Sequence, residues 1–182
     1  MALAVATSLH ALAAWRVDKH VDELTDKVTW YIYADGRLAD EPAFFSARPS
    51  LVFRMTPKNV DPASKTIKGE VDAMVTFDPD AVRRSGFDAL VRFDAAPAET
   101  FSLDASASRT AGLFSGQDSR RIFAAVRKSD KMLFRFTTSL GFTRTIRFDL
   151  SGFADAYADW KRQVFAALPE ASPAVPASVT DD

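Results

Sequence analysis

Cysteine is absent from this 182-residue chain, which removes thiol nucleophiles, cysteine-based zinc sites and any disulfide framework. Histidine is scarce, with His10 and His20 the only two, so imidazole chemistry has little to draw on. Neither sign of charge prevails. With 23 basic and 24 acidic residues and a formal charge of -1, no global field exists to hold nucleic acid or an anionic membrane surface. A Walker loop, a dinucleotide fingerprint, HExxH, GxSxG and EF-hand spacing are also missing. An enzyme built on this chain has to run on carboxylates, Ser/Thr, Tyr, Lys or Arg together with His20. Nothing in the sequence brings two carboxylates to the separation a glycosidase needs. No catalytic residue, metal ligand or cofactor is assigned.

What the chain does have is apolar bulk. Hydrophobic residues make up 47%, including 15 Phe and 3 Trp, enough for a core that needs no covalent staple. The length suits one domain.

The opening MALAVATSLHALAAW is apolar from Ala2 to Ala14 except at Thr7, Ser8 and His10. It is shorter than the roughly 20 residues a helical membrane span requires. It ends in Ala11-Leu12-Ala13, the small-x-small pattern of a signal-peptidase site, so residues 1–13 are read as a signal peptide. The Lys or Arg that should start such a segment is missing, which points to a start upstream of Met1. The alternative is an amphipathic or buried N-terminal helix. A single β-rich domain is expected over 14–168. The stretch PEASPAVPASVTDD, residues 169–182, has too little apolar surface to offset its ordering entropy and is read as a disordered tail.

Past residue 26 the pattern has period two, which sends successive side chains to opposite faces of a strand. Val71, Ala73, Val75 and Phe77 share one face, with Asp72 and Thr76 on the other. Similar alternation runs through Leu51 to Met55, Val91 to Phe93, Phe101 to Leu103, Met132 to Phe136 and Ile146 to Leu150. With Thr29 to Tyr33 these make about seven strands, separated by turn formers at Asp35-Gly36, Pro57-Lys58-Asn59, Asp78-Pro79 and Leu140-Gly141. The expectation is a mainly β fold, an antiparallel β-sandwich or barrel-like sheet pair. Asp118 is the expected cap of a short helix reaching about Lys128. Ser151 is the expected cap of a C-terminal helix that covers the sheet through Phe153, Ala156, Tyr157, Trp160, Val164 and Ala167.

Two segments echo each other, VRFDA at Val91 to Ala95 and IRFDL at Ile146 to Leu150. In each, Phe points inward while Arg and Asp stand on the opposite face. Such Arg and Asp positions form either solvated cross-strand pairs, contributing a few tenths of a kcal/mol each, or a ligand-facing strip. The acidic run around His20 reads as solvated surface rather than a metal cluster. Most Phe fall on the inward phase, whereas Trp15 and Trp30 flank the acidic stretch and can be partly exposed.

The order of motifs is Trp15, then Asp22-Glu23-Leu24-Thr25-Asp26, then Ser50-Leu51-Val52-Phe53-Arg54, then Leu90-Val91-Arg92-Phe93-Asp94. Further along come Ala111-Gly112-Leu113-Phe114, Met132-Leu133-Phe134-Arg135-Phe136 and Ile146-Arg147-Phe148-Asp149-Leu150-Ser151-Gly152-Phe153. From Trp15 to Trp160 this order resembles small exported bacterial proteins of the VasI/TagO type, associated with type VI secretion loci and also encoded in prophages. Met55 stands where such relatives often carry Cys. The resemblance implies a periplasmic β-sandwich with an accessory role and no catalytic residues to carry over.

The expected function is a non-enzymatic envelope module that binds a protein partner, with no nucleic acid and no transmembrane span in the mature chain. Its candidate binding residues are Trp15, Asp22, Thr25, Asp26, Arg54, Arg92, Asp94, Arg147 and Asp149. The alternatives are a cytoplasmic prophage protein that binds a host factor and a carboxylate-based envelope hydrolase.

Overall fold

A computed structural model describes residues 15–39, 48–77, 82 and 85–168. Residues 1–13, read above as a signal peptide, residues 169–182, read as a tail, and the expected Asp78-Pro79 turn lie outside the described residues. Ten strands and two helices are formed among the described residues. The strands are β1 Arg16–Val21, β2 Val28–Asp35, β3 Arg37–Leu38, β4 Ser50–Asp61, β5 Thr66–Thr76, β6 Phe87–Phe93, β7 Glu99–Ala105, β8 Ala111–Phe114, β9 Lys131–Thr137 and β10 Thr143–Asp149. The helices are α1 Gly116–Val126 and α2 Phe153–Ala166. The expected mainly β architecture with a short helix and a C-terminal helix is what the chain adopts.

All strand pairs are antiparallel, in one open sheet of order β1-β2-β4-β5-β8-β7-β6-β9-β10-β3. The three strands that alternation did not disclose each have a reason. β1, RVDKHV, is a charged edge strand with only two apolar residues, and β8 and β3 are four and two residues long. Charge on an edge strand also discourages pairing with a second chain.

The ends of the sheet are tied together by the chain itself. β2 lies next to β1 and β4 at one end of the order, β3 pairs with β10 at the other, and a single residue, Gly36, separates them. One residue cannot span a flat ten-stranded sheet, whose strands lie about 4.8 Å apart, so the sheet rolls up around its apolar face. Asp35-Gly36 is therefore a strand-to-strand hinge rather than the turn the sequence suggests. A Cβ at Gly36 would sit 2.5 Å from Phe148 Cε1 and 2.7 Å from Ile146 Cγ2, so only glycine fits against β10.

Rolling brings the inward phases into one core. Ile32, Phe53 and Ala73 are matched across β2, β4 and β5, and all three are fully buried. Phe134, Phe148, Ile146 and Met132 close the core from β9 and β10. Trp30, read as partly exposed, is only 3% exposed, because its phase on β2 is the inward one. Pro57-Lys58-Asn59 is not a turn either. It lies within β4 at a register shift, where a strand tolerates proline, and the chain reverses at Pro62 to Lys65 instead. There Asp61 accepts from Ala63 N, Ser64 N and Ser64 Oγ.

Both helix caps differ from expectation. Ser115 caps α1: its Oγ accepts from Asp118 N at 3.2 Å and donates to Asp118 Oδ2 at 3.0 Å. Asp118 is thus the residue whose N–H is capped, and its carboxylate in turn orients the capping hydroxyl. The N-cap of α2 is Gly152, at φ 82° with no side-chain cap, because Ser151 Oγ donates to Asp149 Oδ1 at 2.6 Å. α1 covers the edge of β5 where β8, which pairs only with Met74 to Thr76, has ended. The fully buried Ser119 seals that junction, its Oγ accepting from Ala73 N at 2.9 Å and donating to Phe114 O at 3.2 Å. α2 lays Phe153, Ala156, Trp160 and Val164 inward against β1 and β2, while Ala167 is exposed.

Candidate interaction surface

The outer face of the sheet divides by how its arginines are used. On β1, β2, β4 and β5 both arginines are matched, although Lys19 and Lys68 form no ion pair with a described residue. Arg16 Nη2 donates to Asp35 Oδ1 at 2.7 Å, and its guanidinium lies 4.5 Å from the Tyr33 ring centroid. Arg54 donates through Nε and Nη2 to Asp72 Oδ2 across β4 and β5, at 3.0 and 2.8 Å. Lys58 pairs with Glu70. Tyr33 Oη donates to Asp18 Oδ2 at 2.6 Å, which pushes the phenol pKa up. These are solvated cross-strand pairs, each contributing about 0–1 kcal/mol; the pairs expected of the VRFDA and IRFDL arginines do not form among the described residues. Arg54 belongs to them.

The β6, β9, β10 and β3 face is different. Arg92 lies opposite Leu133, Leu133 opposite Arg147, and Arg147 opposite Arg37, giving one row across four strands. Arg37, Arg92 and Arg147 are exposed, and none of them hydrogen-bonds or ion-pairs with a described residue. At a strand spacing of about 4.8 Å, Arg147 and Arg37 are neighbours, with Arg92 about 10 Å beyond. Like charges directly opposed destabilise a sheet, so folding alone gives no reason for the row. In the adjacent row Leu90, 43% exposed, faces Arg135, which faces Thr145 and donates to its Oγ1 at 3.2 Å. Two leucines thus sit among four arginines.

The sequence echo has its explanation here. VRFDA and IRFDL flank β9 in the same register. Val91 and Ile146 face Phe134, Arg92 and Arg147 face Leu133, and Phe93 and Phe148 face Met132.

The other sequence candidates have structural work. Asp94, at φ 46°, accepts from Asp130 N and Lys131 N at 3.1 and 3.0 Å, and Asp149 accepts from Ser151 N and Oγ. Asp22, Thr25 and Asp26 build the β1–β2 turn. Asp22 Oδ1 accepts from the Thr25 hydroxyl, Thr25 N and Leu24 N, and these bonds hold its carboxyl below the ordinary range. Asp26 takes the turn at φ 53° and donates its N–H to Asp22 O. Trp15 is half-buried, 4.7 Å from Phe153 and 6.4 Å from Phe53 between ring centroids.

Of the nine sequence candidates, only Arg92 and Arg147 join the row. Arg135 stands on the outward phase of an alternating strand and was legible as exposed, but nothing local marks Arg37. Among the described residues, no three His, Asp or Glu side chains come together as a metal site. No described helix is long and apolar enough to cross a membrane. Comparison with protein-family models, curated proteins and solved structures returned no match.

Proposed function

We propose that this chain is a non-enzymatic binding or accessory module of the bacterial envelope, and that the arginine row on β6, β9, β10 and β3 docks an acidic surface of a protein partner. The observation that carries this reading is the row itself, Arg92, Arg147 and Arg37 in register and without carboxylate partners among the described residues. Guanidinium forks suit carboxylates, and arginine with interspersed apolar side chains is the composition of a protein interface core. A net charge of -1 argues against a polyanion held by long-range field. The export-like opening and the VasI/TagO-like motif order support an envelope setting, periplasmic and tied to a secretion locus or a prophage.

The test compares an Arg37→Ser/Arg92→Ser/Arg147→Ser variant with Arg54→Ser, which removes a cation from the matched face. Partners captured from envelope extract by the wild type are identified by mass and remeasured with purified components. Each charged hydrogen bond lost costs about 1.5–3 kcal/mol, so the triple variant should lose at least tenfold in affinity and much of its salt dependence, while Arg54→Ser binds normally. Equal binding by both variants overturns the assignment. Thermal stability of the triple variant should stay level or rise, since like charges have been removed.

A further inference from the structure

The β9–β10 hairpin ends in an apolar tip. Leu140 is 81% and Phe142 60% exposed, and the turn that carries them is held by its own hydrogen bonds. Thr138 N donates to Phe142 O at 2.8 Å, Gly141 N to Thr138 O at 3.0 Å, and Phe142 N to Thr138 Oγ1 at 3.1 Å. Gly141 takes φ 87°, and a Cβ there would meet nothing within 4 Å, so the turn borders open space. Such a pre-ordered turn presents both side chains at little further cost in ordering. We infer that this tip inserts into the surface of an anionic lipid bilayer, with the arginines behind it at the level of the headgroups.

Charge complementarity selects the occupant. From Lys131 to Phe148 the hairpin carries Lys131, Arg135, Arg144 and Arg147 and no carboxylate. Arg144, and Arg135 opposite Thr145, lie roughly 7 and 10 Å behind Phe142 along the strands. An apolar side chain buried about 5–10 Å into the headgroup and acyl boundary therefore brings both guanidinium groups to the depth of the phosphates. Three carboxylates reach the same end of the sheet on other strands. Asp35 is paired with Arg16, Asp88 accepts from Ser102 Oγ at 2.6 Å, and Asp104 ends β7, while Arg48 and Arg109 offset the last two in charge. Leu24 supplies the contrast. It is 96% exposed at the opposite end of the sheet, but its turn holds Asp22, Glu23 and Asp26, which an anionic surface repels. Shape argues against a pocket on a protein as the receiver, because an interface anchor sits within a rim of contacts that exclude water, and this turn borders open space. The net charge of -1 gives no long-range pull, so insertion of Leu140 and Phe142, rather than attraction alone, holds the contact. The inference is independent of the partner proposed for the arginine row.

The full chain is sedimented at physiological salt with vesicles of phosphatidylcholine, alone or mixed in equal parts with phosphatidylglycerol. The wild type should bind the mixed vesicles saturably and the neutral ones several-fold more weakly. Leu140→Ser/Phe142→Ser should weaken binding at least tenfold, the loss of two inserted apolar side chains, with thermal unfolding unchanged because both residues are exposed. Arg135→Gln should cost about fivefold on the mixed vesicles alone. Phe142→Trp reports depth: brominated acyl chains should quench its emission beyond any quenching of the wild type, whose Trp30 and Trp160 are buried. No binding of the wild type to mixed vesicles, or no added quenching in Phe142→Trp, overturns the inference. Undiminished binding by Leu140→Ser/Phe142→Ser overturns it too, assigning the contact to the arginines alone. If vesicles are ignored and that double variant instead loses protein partners from envelope extract, the tip belongs to a protein interface and the lipid assignment fails.

Discussion

Ser119 is a small polar side chain on which two elements of the fold depend. It is fully buried, and its hydroxyl joins α1 to β5 by accepting from Ala73 N and to β8 by donating to Phe114 O. Ser119→Ala removes almost no volume, so cavity formation contributes little. The cost comes from orphaned backbone groups, at about 1–3 kcal/mol for each buried donor or acceptor. The Ala73 N–H has lost its neighbour because β8 stops at the residue pair Met74 and Leu113, so its full penalty applies. The Phe114 carbonyl retains a second lone pair and contributes in part. The expected sum is about 2–4 kcal/mol, a large share of the roughly 5–15 kcal/mol that holds a domain folded.

Urea unfolding followed by circular dichroism measures it, with the midpoint falling and the slope unchanged. The control is Ser115→Ala at the same helix, which loses an exposed cap worth about 1 kcal/mol. Hydrogen exchange should show the Ala73 amide losing protection in Ser119→Ala alone. If the two variants cost the same and Ala73 stays protected, α1 is not anchored to β5 through this hydroxyl.

Gly36→Ala should cost about 1–3 kcal/mol, because its Cβ would drive into the buried Phe148 and Ile146 side chains. Exchange at Ala39 N, which donates to Thr145 O, reports whether the β3–β10 seam opens, and an unaffected seam refutes the hinge. Asp22 gives a pH effect of known sign. Its folded pKa lies below the ordinary 3.8, so its contribution is present above that value and lost as pH falls through the folded pKa. The Thr25 amide resonance should therefore move in acid below the ordinary carboxylate range, and the movement should vanish in Asp22→Ala.

Much of the fold was legible along the chain because its causes are local. Alternation marks which side of a strand is apolar, and Phe53, Ala73, Val75, Phe134 and Phe148 are buried on the expected phase. The helical spacing of Phe153, Ala156, Trp160 and Val164 likewise named the face that α2 buries. Caps were less legible. Ser115 and Asp118, or Ser151 and Gly152, can each satisfy the start of a helix, and the choice depends on what else the hydroxyl meets, as Asp149 shows for Ser151.

The sequence by itself determined a mainly β chain with two helices, an inward set of aromatic residues and an outward set of charges, since side-chain period and polarity are properties of neighbours in the chain. It also disclosed the VRFDA and IRFDL echo. Only the tertiary structure decided that both echoes flank β9, that Gly36 returns the chain to β10, and that Arg37 consequently stands beside Arg147. The same assembly matched Arg54 with Asp72 and left Arg92 and Arg147 without a carboxylate among the described residues. Cross-strand pairing joins residues far apart in sequence, and that pairing decides whether an exposed arginine is part of a salt bridge or available to a partner.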